Sequence, residues 1–420
     1  MKERLRKEPI FIGSAPFYLK SIRSVFLRIP MAEPDWRSKE IRLATLSLFK
    51  SDWKKPKNSL EKKLSEKFKV KYAVLTSSGR ASIKASLTAL GIRGGVILPS
   101  FCCYSVLEAI LSAGCYPQFV DIDDNLNIDP IDVKRKINDK TKAILVPHLF
   151  GKSAQILKLQ EIAQKNNLFL IDDAAQSIGV RNNGNYLGTF GDVGVLSFGP
   201  FKGLSGIGGG AVLTDDFEIF ERIKESFKKR KRTDSRLKPI KILLKSRFRK
   251  FSFFFFILVR TLKYLKAKNT QNFDCDYIVP QKMSFLEENF ILDQIDRLDE
   301  LVERRSYLGR LLFKHLSSTK LIKPAFSSVV SHGFLKFVIK IDKEDNKITE
   351  NLLRHLLKKG IEAEPVYVPL HLRTNSSQRL LKTERLYLKL LCLPINPSMK
   401  KKDLDYMLNS LKEFEERYVN

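Results

Sequence analysis

The sequence predicts an α/β protein in which a large domain, with a mainly parallel sheet sandwiched by helices, precedes a smaller α+β domain. Three observations support this fold class. The 420 residues exceed the roughly 250–300 at which single cores tend to divide into domains. Hydrophobic residues make up 43% of the chain and aromatic residues 10%, which is enough to bury substantial cores. Between about Lys71 and Phe227, short β-rich runs alternate with helical stretches.

The alternation predicts the elements of the large domain one by one. Apolar runs predict strands at residues 72–75, 95–99, 118–122, 143–148, 168–173, 192–198 and 211–216. Between them, helices are predicted at about residues 80–90, 106–113, 154–166 and 217–227. Strands that alternate with such helices form parallel sheets with both faces covered, so we expect that arrangement here.

The pattern changes after the large domain. The C-terminal part contains helical segments at residues 285–316, 346–360 and 402–418 and a strand at 333–341. We therefore predict four successive parts of the chain. They are an N-terminal segment (1–65), a cofactor-binding α/β large domain (66–227), a basic, Phe-rich insertion or linker (228–281) and a C-terminal α+β domain (282–420).

The composition excludes several classes of protein. An odd number of cysteines, five, without a CxxC pair does not form a disulfide framework. The five histidines lie far apart, so a metal site is unsupported. No apolar run approaches the roughly 18 residues of a membrane span, and Gly13, Pro16 and Lys20 interrupt any signal-peptide core. We predict a cytoplasmic protein.

The formal net charge of +29 indicates attraction to polyanions or to an anionic surface. A charge of +12 is concentrated between Arg222 and Lys250. No zinc-finger, RRM or KH signature accompanies it, so we predict no nucleic-acid partner. The basic segment 228–264 also contains the apolar run FSFFFFILV (251–259). It predicts either an ordinary hydrophobic contact, for example within an oligomer, or peripheral contact with anionic lipid at the inner face of the membrane.

Two sequence features that could take part in ligand binding or catalysis follow early strands. The run SSGR (77–80) lies between a strand and a helix, where free backbone N–H groups, the helix dipole and an arginine can bind phosphate. The same run is also typical of an ordinary helix cap. The run PSFCCYS (99–105) presents Cys103 and Tyr104 where they can cover a flat ring, unless it is simply a buried loop.

Two further features follow later strands. Asp172 and Asp173 end an apolar strand, where a carboxylate can keep a pyridinium nitrogen protonated; such a pair can also hold Mg²⁺ or cap a helix. Lys202 lies in the loop SFGPFKGLSGIGGG (197–210). An amine of lowered pKa there can form an imine with an aldehyde, although most lysines in so basic a protein are solvated. The glycines run into a strand rather than a helix, which excludes Rossmann and Walker motifs.

In this order, the four features resemble the sugar-nucleotide aminotransferases of the DegT/StrS type. These are pyridoxal 5′-phosphate (PLP) enzymes of the aspartate-aminotransferase-like class. The resemblance covers roughly residues 40–225 and resumes from about residue 280 to the end. Its most specific stretches are TSSGRASIKASLTALGI, VPHLFGKSAQI, IDDAAQSIG, GTFGDVGVLSFGPFKGLSGIGGGAVLTDD, VYVPLH and LCLPINP.

The resemblance implies roles for individual residues. Lys202 would bind PLP covalently and Asp173 would pair with the pyridine nitrogen, so these two are the expected catalytic residues. Gln176 would contact the phenolic oxygen of the ring. The other expected cofactor contacts are Ser78, Gly79, Arg80, Cys103, Tyr104 and Ser197. The active site would lie at a homodimer interface, although PQKMS (280–284) stands where many members have an Asn that reaches the phosphate of the neighbouring subunit.

The resemblance also implies an activity. The enzyme would move an amino group to a nucleotide-linked ketosugar in surface-polysaccharide or amino-sugar biosynthesis, with glutamate as the expected donor. One alternative is a PLP-dependent sugar dehydratase or other chemistry at Cα; dehydrating relatives have His at the position of Lys202, so this lysine favours transamination. Another alternative is a non-catalytic, membrane-associated relative, which the basic segment 228–264 would suit.

Overall fold

A computed structural model of the protein describes residues 29–50, 53–56, 59–228, 230, 232, 237–251, 281–374 and 376–419. The helices of the first part are α1 (Ser38–Leu46), α2 (Leu60–Phe68), α3 (Gly79–Ala89), α4 (Tyr104–Ser112), α5 (Pro130–Lys136), α6 (Ile156–Lys165), α7 (Phe217–Lys228) and α8 (Leu237–Phe251). The strands are β1 (Tyr72–Thr76), β2 (Gly95–Pro99), β3 (Tyr116–Val120), β4 (Thr141–Pro147), β5 (Phe169–Asp173), the short pair β6 (Arg181–Asn182) and β7 (Asn185–Tyr186), β8 (Val193–Ser197) and β9 (Gly210–Thr214). Every strand and helix predicted for the large domain is present, with ends that agree to within two residues.

Seven of the described strands form one sheet in the order β1-β9-β8-β5-β4-β2-β3. The strands from β8 to β3 pair in parallel, which confirms the mainly parallel sheet. In contrast, β9 runs antiparallel to both β1 and β8. The chain between β8 and β9 contains Lys202 and no helix, and a return without a crossover helix gives an antiparallel pair.

The two faces of this sheet pack into separate cores. Neighbouring side chains of β5 show the alternation, because Ile171 joins one core and Leu170 the other. The first core includes α3 and α4, and the second includes α2 and α6. Full burial of one such aliphatic side chain contributes about 1.5–3 kcal/mol, so this alternation fixes which face of the strand packs against which core. The parallel pairing of β5 and β8 brings the loops that follow them to the same edge of the sheet.

The second part of the chain forms a smaller antiparallel sheet with helices. Its helices are α9 (Phe285–Gln294), α10 (Leu298–Ser317), α11 (Asn346–Lys358), α12 (Leu370–Arg373), α13 (Leu381–Leu386) and α14 (Lys401–Val419). Its strands are β10 (Ile322–Pro324), β11 (Phe337–Ile341), β12 (Glu364–Pro365) and β13 (Leu390–Leu393), paired in the order β10-β11-β13-β12. This arrangement confirms the smaller α+β unit.

The helix pair α9 and α10 links the two units. Ile291 and Leu298 pack into the second core of the large sheet, whereas Leu308 and Leu312 pack with the small sheet. The chain therefore passes from one unit to the other within α10. The four-part division proposed from the sequence remains a prediction.

Part of the basic segment 228–264 packs against the large domain. Arg232 Nη1 lies 2.7 Å from Glu288 Oε1, and Lys238 Nζ lies 2.9 Å from Glu287 Oε1. Both glutamates are buried, so two of the segment's positive charges are neutralised within the chain. Ile240 packs against a small core that contains Phe290, whereas Leu244 is 48% exposed.

No helix in the described part of the chain is long and apolar enough to cross a bilayer. Most of the apolar run at 251–259 lies outside the described residues.

The turn after β4 joins the two units through backbone hydrogen bonds. Gly333 N–H donates to Gly151 O (2.7 Å), and Leu335 N–H donates to Phe150 O (3.0 Å). Gly151 has φ +88°, and a Cβ on it would come within 2.8 Å of the Leu335 nitrogen, so this close approach requires glycine. Phe150 has φ +57°, a strained value for a bulky residue.

His332 lies buried at this junction in a form that excludes protonation. Its ring stacks on Phe334 with centroids 3.7 Å apart, and its Nδ1 accepts a hydrogen bond from Phe334 N–H (3.1 Å). Burial, reinforced by the charge of Lys152, holds the pKa of His332 well below its ordinary value of 6.5. The folded protein therefore keeps this histidine neutral where the unfolded chain would bind a proton.

We expect the free energy of unfolding to decrease as the pH falls below about 6.5. In that range His332 binds a proton in the unfolded chain but stays neutral in the folded protein, so protonation favours unfolding. Above that pH this contribution to stability is fully present. The measurement is the unfolding free energy as a function of pH for the wild type and for His332→Gln. The variant should be less stable near neutral pH but should lose less stability on acidification; an equally steep pH dependence in both proteins would contradict the assignment.

Candidate active site

The loops after β5 and β8 and the turn after β1 meet at one edge of the large sheet. β5 and β8 pair in parallel with Asp173 opposite Val195, so Asp173 and Ser197 lie at strand ends on the same side. Ser197 pairs with Gly210 at the start of β9, and Ser78 forms a bridge with Gly209. The carboxyl edge of a parallel sheet is where α/β proteins bind ligands.

A close-packed corner forms between the start of α3 and the end of β8. A Cβ on Gly79 would lie 3.0 Å from Ser197 Cβ and 3.2 Å from Ser197 Oγ, so glycine leaves room for that hydroxyl. Ser78 caps α3, its Oγ accepting a hydrogen bond from Ala81 N–H (3.2 Å). Backbone N–H groups at a helix start, together with a serine hydroxyl, are suited to a phosphate group.

Arg80 and Gln281 each form a polar contact within the described chain. The Arg80 side chain is exposed and its Nη1 lies 2.9 Å from Glu108 Oε2, so it forms an ion pair on the surface of α4. Gln281 O accepts a hydrogen bond from Ser77 N–H of its own chain (3.0 Å), which places Gln281 at the turn before α3. The predicted contacts of Arg80 with the cofactor and of residues 280–284 with a neighbouring subunit remain predictions.

Lys202 is half-buried in the loop between β8 and β9. Burial lowers the pKa of its amine, the repulsion of Lys336 adds to this, and Cys103 and Asp173 oppose it. The amine therefore lies within electrostatic reach of a thiol and a carboxylate on the large domain and of an ammonium on the small domain. A lower pKa gives a larger neutral fraction near pH 7, which nucleophilic and general-base chemistry both require.

Asp173 is buried at the end of β5 and interacts with the Lys202 charge. Burial raises the pKa of its carboxyl group, opposed by a hydrogen bond from Ala175 N–H to Oδ1 (2.9 Å) and by the charges of Lys202 and His148. The charges of the amine and the carboxylate therefore interact, and their placement around one ring remains a prediction.

The adjacent Asp172 has a structural role. Its Oδ1 lies 2.6 Å from His148 Nε2, and its Oδ2 accepts hydrogen bonds from Gly188 N–H (2.7 Å) and Phe190 N–H (3.0 Å). Because His148 Nδ1 accepts from Ala154 N–H, its proton is on Nε2 and is donated to Asp172. With both oxygens of Asp172 engaged, the arrangement disfavours the alternative of a Mg²⁺ site on the two acids.

Gln176 and Cys103 are the other two expected ring contacts from the large domain whose surroundings the structure defines. Gln176 Oε1 accepts a hydrogen bond from Phe150 N–H (3.0 Å), so its amide Nε2 is the group that can donate to a phenolic oxygen. Cys103, half-buried, precedes α4 and interacts with the Lys202 amine. The ring of Tyr104 instead lies 5.5 Å from the guanidinium of Arg373.

A buried hydrogen-bonded set fixes the loop that carries Cys103. Ser100 Oγ lies 2.6 Å from His371 Nδ1, and His371 Nε2 lies 3.3 Å from Glu384 Oε1. This order of groups resembles a serine-hydrolase triad, but Ser100 and His371 are completely buried, so a substrate has no access to the hydroxyl. The set instead joins the loop after β2 to the segment VYVPLH of the small domain.

Sequence reasoning missed the contribution of three other residues. His148 lies in the stretch VPHLFGKSAQI at the carboxyl end of a predicted strand. That position could have identified it as a residue close to the site. Lys336 and Tyr367 come from the small domain, and their distance along the chain from Lys202 gave no signal. Tyr367 packs against Phe150 with ring centroids 5.6 Å apart.

We expect Gly79→Ala to weaken PLP binding about tenfold or more, because the added Cβ displaces the Ser197 hydroxyl from the phosphate corner. The dissociation constant of PLP measures this effect. Ser86→Ala is the matched control on the same helix, since Ser86 Oγ is buried with no hydrogen-bond partner in the described residues. The control should bind PLP like the wild type; equal affinity in Gly79→Ala would contradict the phosphate assignment.

Comparison with known proteins agrees with this geometry. The model of the DegT/DnrJ/EryC1/StrS aminotransferase family matches residues 38–412. A GDP-perosamine synthase of Escherichia coli O157:H7 is 27% identical over 396 residues, which cover 92% of this chain and 98% of that protein.

Two solved structures share the fold. Helicobacter pylori PseC, an aminotransferase involved in the biosynthesis of pseudoaminic acid, has a TM-score of 0.74 at 19% identity, covering 94% of this chain and all of that one. Escherichia coli GDP-4-keto-6-deoxy-D-mannose-3-dehydratase, with hydrated PLP bound, has a TM-score of 0.73 at 20% identity, covering 92% of this chain and all of that one. Both support the fold class alone.

Proposed function

The chain belongs to the DegT/DnrJ/EryC1/StrS aminotransferase family, and on that premise we propose that it transfers the amino group of glutamate to a nucleotide-linked ketosugar. The family is described as one of aminotransferases, which depend on PLP. The relative named GDP-perosamine synthase supports a nucleotide sugar as the acceptor. A Bacillus subtilis relative named spore coat polysaccharide biosynthesis protein SpsC, 26% identical over 401 residues, supports polysaccharide biosynthesis as the setting. The proposal rests on the electrostatic interaction between Lys202, whose amine has a lowered pKa, and the buried carboxylate of Asp173. The corner formed by Gly79 and Ser197 lies at the same edge of the sheet.

The residues at the sheet edge fit PLP. The corner between Gly79 and Ser197, a space that a Cβ would fill, suits the phosphate group. Asp173 suits the pyridine nitrogen, Gln176 Nε2 suits the phenolic oxygen, and Lys202 suits the aldehyde carbon. Cys103, and Tyr104 beyond it, border the space where one face of the ring would lie. When bound, PLP supplies an electron sink for negative charge at the carbon that bears the amino group.

Lys202 supplies the proton transfers. In the neutral form favoured by burial, its amine accepts the proton from the α-carbon of the amino-acid donor and holds it as ammonium for delivery. The half-buried position limits water around the amine, which protects the transferred proton from exchange with solvent.

Asp173 holds a proton in place. Its carboxylate would accept the hydrogen bond of a protonated ring nitrogen. Ala175 N–H donates to Oδ1 of Asp173, and the hydrogen bond between His148 and Asp172 stabilises the end of the same strand. A buried carboxylate is unstable without such a partner, and the raised pKa of Asp173 reflects this. The positive ring nitrogen would remove that instability.

Lys202 favours transamination over dehydration. One structural neighbour is a sugar dehydratase, so the fold is compatible with both reactions. A lysine can bond covalently to PLP and also shuttle protons, whereas an imidazole in its place can only do the latter. The non-catalytic alternative is disfavoured because Lys202 and Asp173 are both present and close together.

We also propose a homodimer as the working form. Leu46, Leu48 and Phe49, at and after the end of α1, are 41%, 42% and 84% exposed, and a partner subunit would cover this apolar group. The location in the cytoplasm, with possible contact of the basic segment 228–264 with the inner face of the membrane, remains a prediction. Sedimentation of the purified protein and its retention on anionic vesicles test the two statements separately.

The experiment that tests the function follows ¹⁵N from labelled glutamate into a sugar nucleotide. GDP-4-keto-6-deoxy-D-mannose is a suitable first acceptor because a structural neighbour acts on it. We expect a labelled amino sugar to form only in the presence of PLP and the protein. Loss of the 3-hydroxyl without nitrogen transfer would instead identify a dehydratase.

A further inference from the structure

The small domain presents a charged pair to the active site. Lys336, just before β11, lies with its Nζ 3.1 Å from Oε2 of Glu364, the first residue of β12. The two side chains are about one quarter exposed, at 26% and 25%. Glu364 Oε2 accepts a hydrogen bond from one of the three N–H groups of this ammonium, and a pair of this kind contributes little stability by itself.

Phe150 connects Lys336 to the residues expected to hold PLP. The Phe150 N–H donates to Gln176 Oε1 (3.0 Å), while its carbonyl oxygen accepts from Lys336 N–H (3.4 Å). Its ring stacks on Tyr367, which also lies 6.1 Å from the ring of Phe101. One strained residue of the large domain thus fixes the backbone of Lys336 relative to Gln176.

The charge of Lys336 is permanent and acts on Lys202. The neighbouring carboxylate of Glu364 more than offsets the effect of burial and raises the pKa of Lys336 above its ordinary value. The same positive charge helps to lower the pKa of Lys202. The backbone of Phe150 connects Lys336 to Gln176, so a substrate bound beside Gln176 would meet this positive charge on the side of the small domain.

We propose that Lys336 binds the α-carboxylate of the amino-acid donor, with Glu364 holding its ammonium in position. This inference rests on the proposed transaminase function. The carbon that loses its proton to Lys202 carries the α-carboxylate one bond away, so that carboxylate must lie close to Lys202. The diphosphate of a sugar nucleotide is separated from the reacting carbon by the sugar ring and fits a more distant position.

The test compares Lys336→Met with Lys336→Arg and with the control Lys340→Met. Lys340 lies four residues further along the same strand and interacts with Asp342, so its removal takes away one positive charge outside the site. Each PLP-loaded protein is titrated with glutamate while the change in visible absorption is recorded. A parallel calorimetric titration uses glutarate, which keeps the carboxylates but has no amino group, and UDP.

For Lys336→Met, we expect the half-saturating glutamate concentration and the glutarate dissociation constant to rise about ten- to a hundredfold, as loss of a charge-assisted hydrogen bond predicts. UDP affinity should stay unchanged, Lys336→Arg should recover most of the loss, and Lys340→Met should match the wild type. Unchanged glutamate and glutarate binding in Lys336→Met, or a loss confined to UDP, would overturn the proposal. A loss that Arg does not restore would indicate a structural role and would overturn it too.

The same titrations distinguish failure of the proposed transaminase function from failure of the assignment of Lys336. If the wild-type protein shows no spectral response to glutamate, the transaminase function itself fails and the donor subsite fails with it. If the wild type responds and the variants do not differ from it, only the assignment of Lys336 fails.

Discussion

Lys202→Ala is expected to abolish amino transfer and to remove the visible absorption that a lysine-bound pyridoxal group gives. The reason is that the proposed mechanism uses this amine twice, for covalent binding and for proton transfer at the donor's α-carbon. Loss of the proton transfer alone lowers the rate by about 10²–10⁴-fold, and loss of the covalent bond adds to that. The measurements are the absorption spectrum of the PLP-loaded protein and the rate of ¹⁵N transfer.

The control for this experiment is Lys241→Ala. Lys241 is exposed on α8, so its removal changes the net charge by the same amount without changing the site. The control should keep the spectrum and the rate of the wild type. A Lys202→Ala protein with unaltered visible absorption would show that another group binds the cofactor.

Asp173→Asn is expected to lower the rate of the glutamate half-reaction by about 10²–10³-fold with little loss of stability. The amide cannot keep a ring nitrogen protonated, and removal of one preorganised electrostatic contact has an effect of this size. The side-chain oxygen can still accept the hydrogen bond from Ala175 N–H, and a buried charge is removed, so folding should not suffer. Stopped-flow absorption after mixing with glutamate measures the rate, and thermal unfolding measures the stability.

The neighbouring acid provides a contrasting variant. In Asp172→Asn, the new amide group cannot accept the hydrogen bonds that Gly188 N–H and Phe190 N–H now donate to Oδ2. Each buried donor left without a partner costs about 1–3 kcal/mol, so this variant should unfold more easily. The two adjacent carboxylates should therefore differ, Asp173 in rate and Asp172 in stability. The reverse pattern would contradict the assignment of Asp173 to the ring nitrogen.

The large domain was predictable because local sequence patterns mark its strands and helices. Each strand is a short apolar run bounded by turn-forming residues, and each helix has an apolar face. The predicted ends therefore agree with the observed ones to within two residues. The direction of β9 was not predicted. It depends on the return of the loop around Lys202 without a helix, a feature that becomes informative only when the neighbouring strands are known.

The site was predictable where it follows strand ends. Ser78, Asp173 and Ser197 each follow or end a strand, so the common carboxyl edge of the sheet brings them together. Lys336, Glu364 and Tyr367 were not predictable, because their place opposite Lys202 depends on how the small domain packs on the large one. The strained turn at Phe150 that connects them has no signal in residue type, since a phenylalanine with positive φ arises only from its tertiary contacts.

The segments that differ in predictability also differ in function. Residues of the large domain are expected to hold the cofactor, whereas the proposed contact with the donor's α-carboxylate, Lys336, lies on the small domain. Because every amino-acid donor carries an α-carboxylate, this contact would serve the binding of a donor and not the choice among donors.

The most direct test of the account is to identify the residue that holds the cofactor. Purified PLP-loaded protein is reduced with sodium borohydride, which converts the lysine–cofactor bond into a stable amine, and is then digested and analysed by mass spectrometry. The account predicts that the pyridoxyl group is attached to Lys202 and that it is absent from this peptide when reduction is omitted. Attachment to another lysine, such as Lys336, or no attachment at all would contradict the central claim.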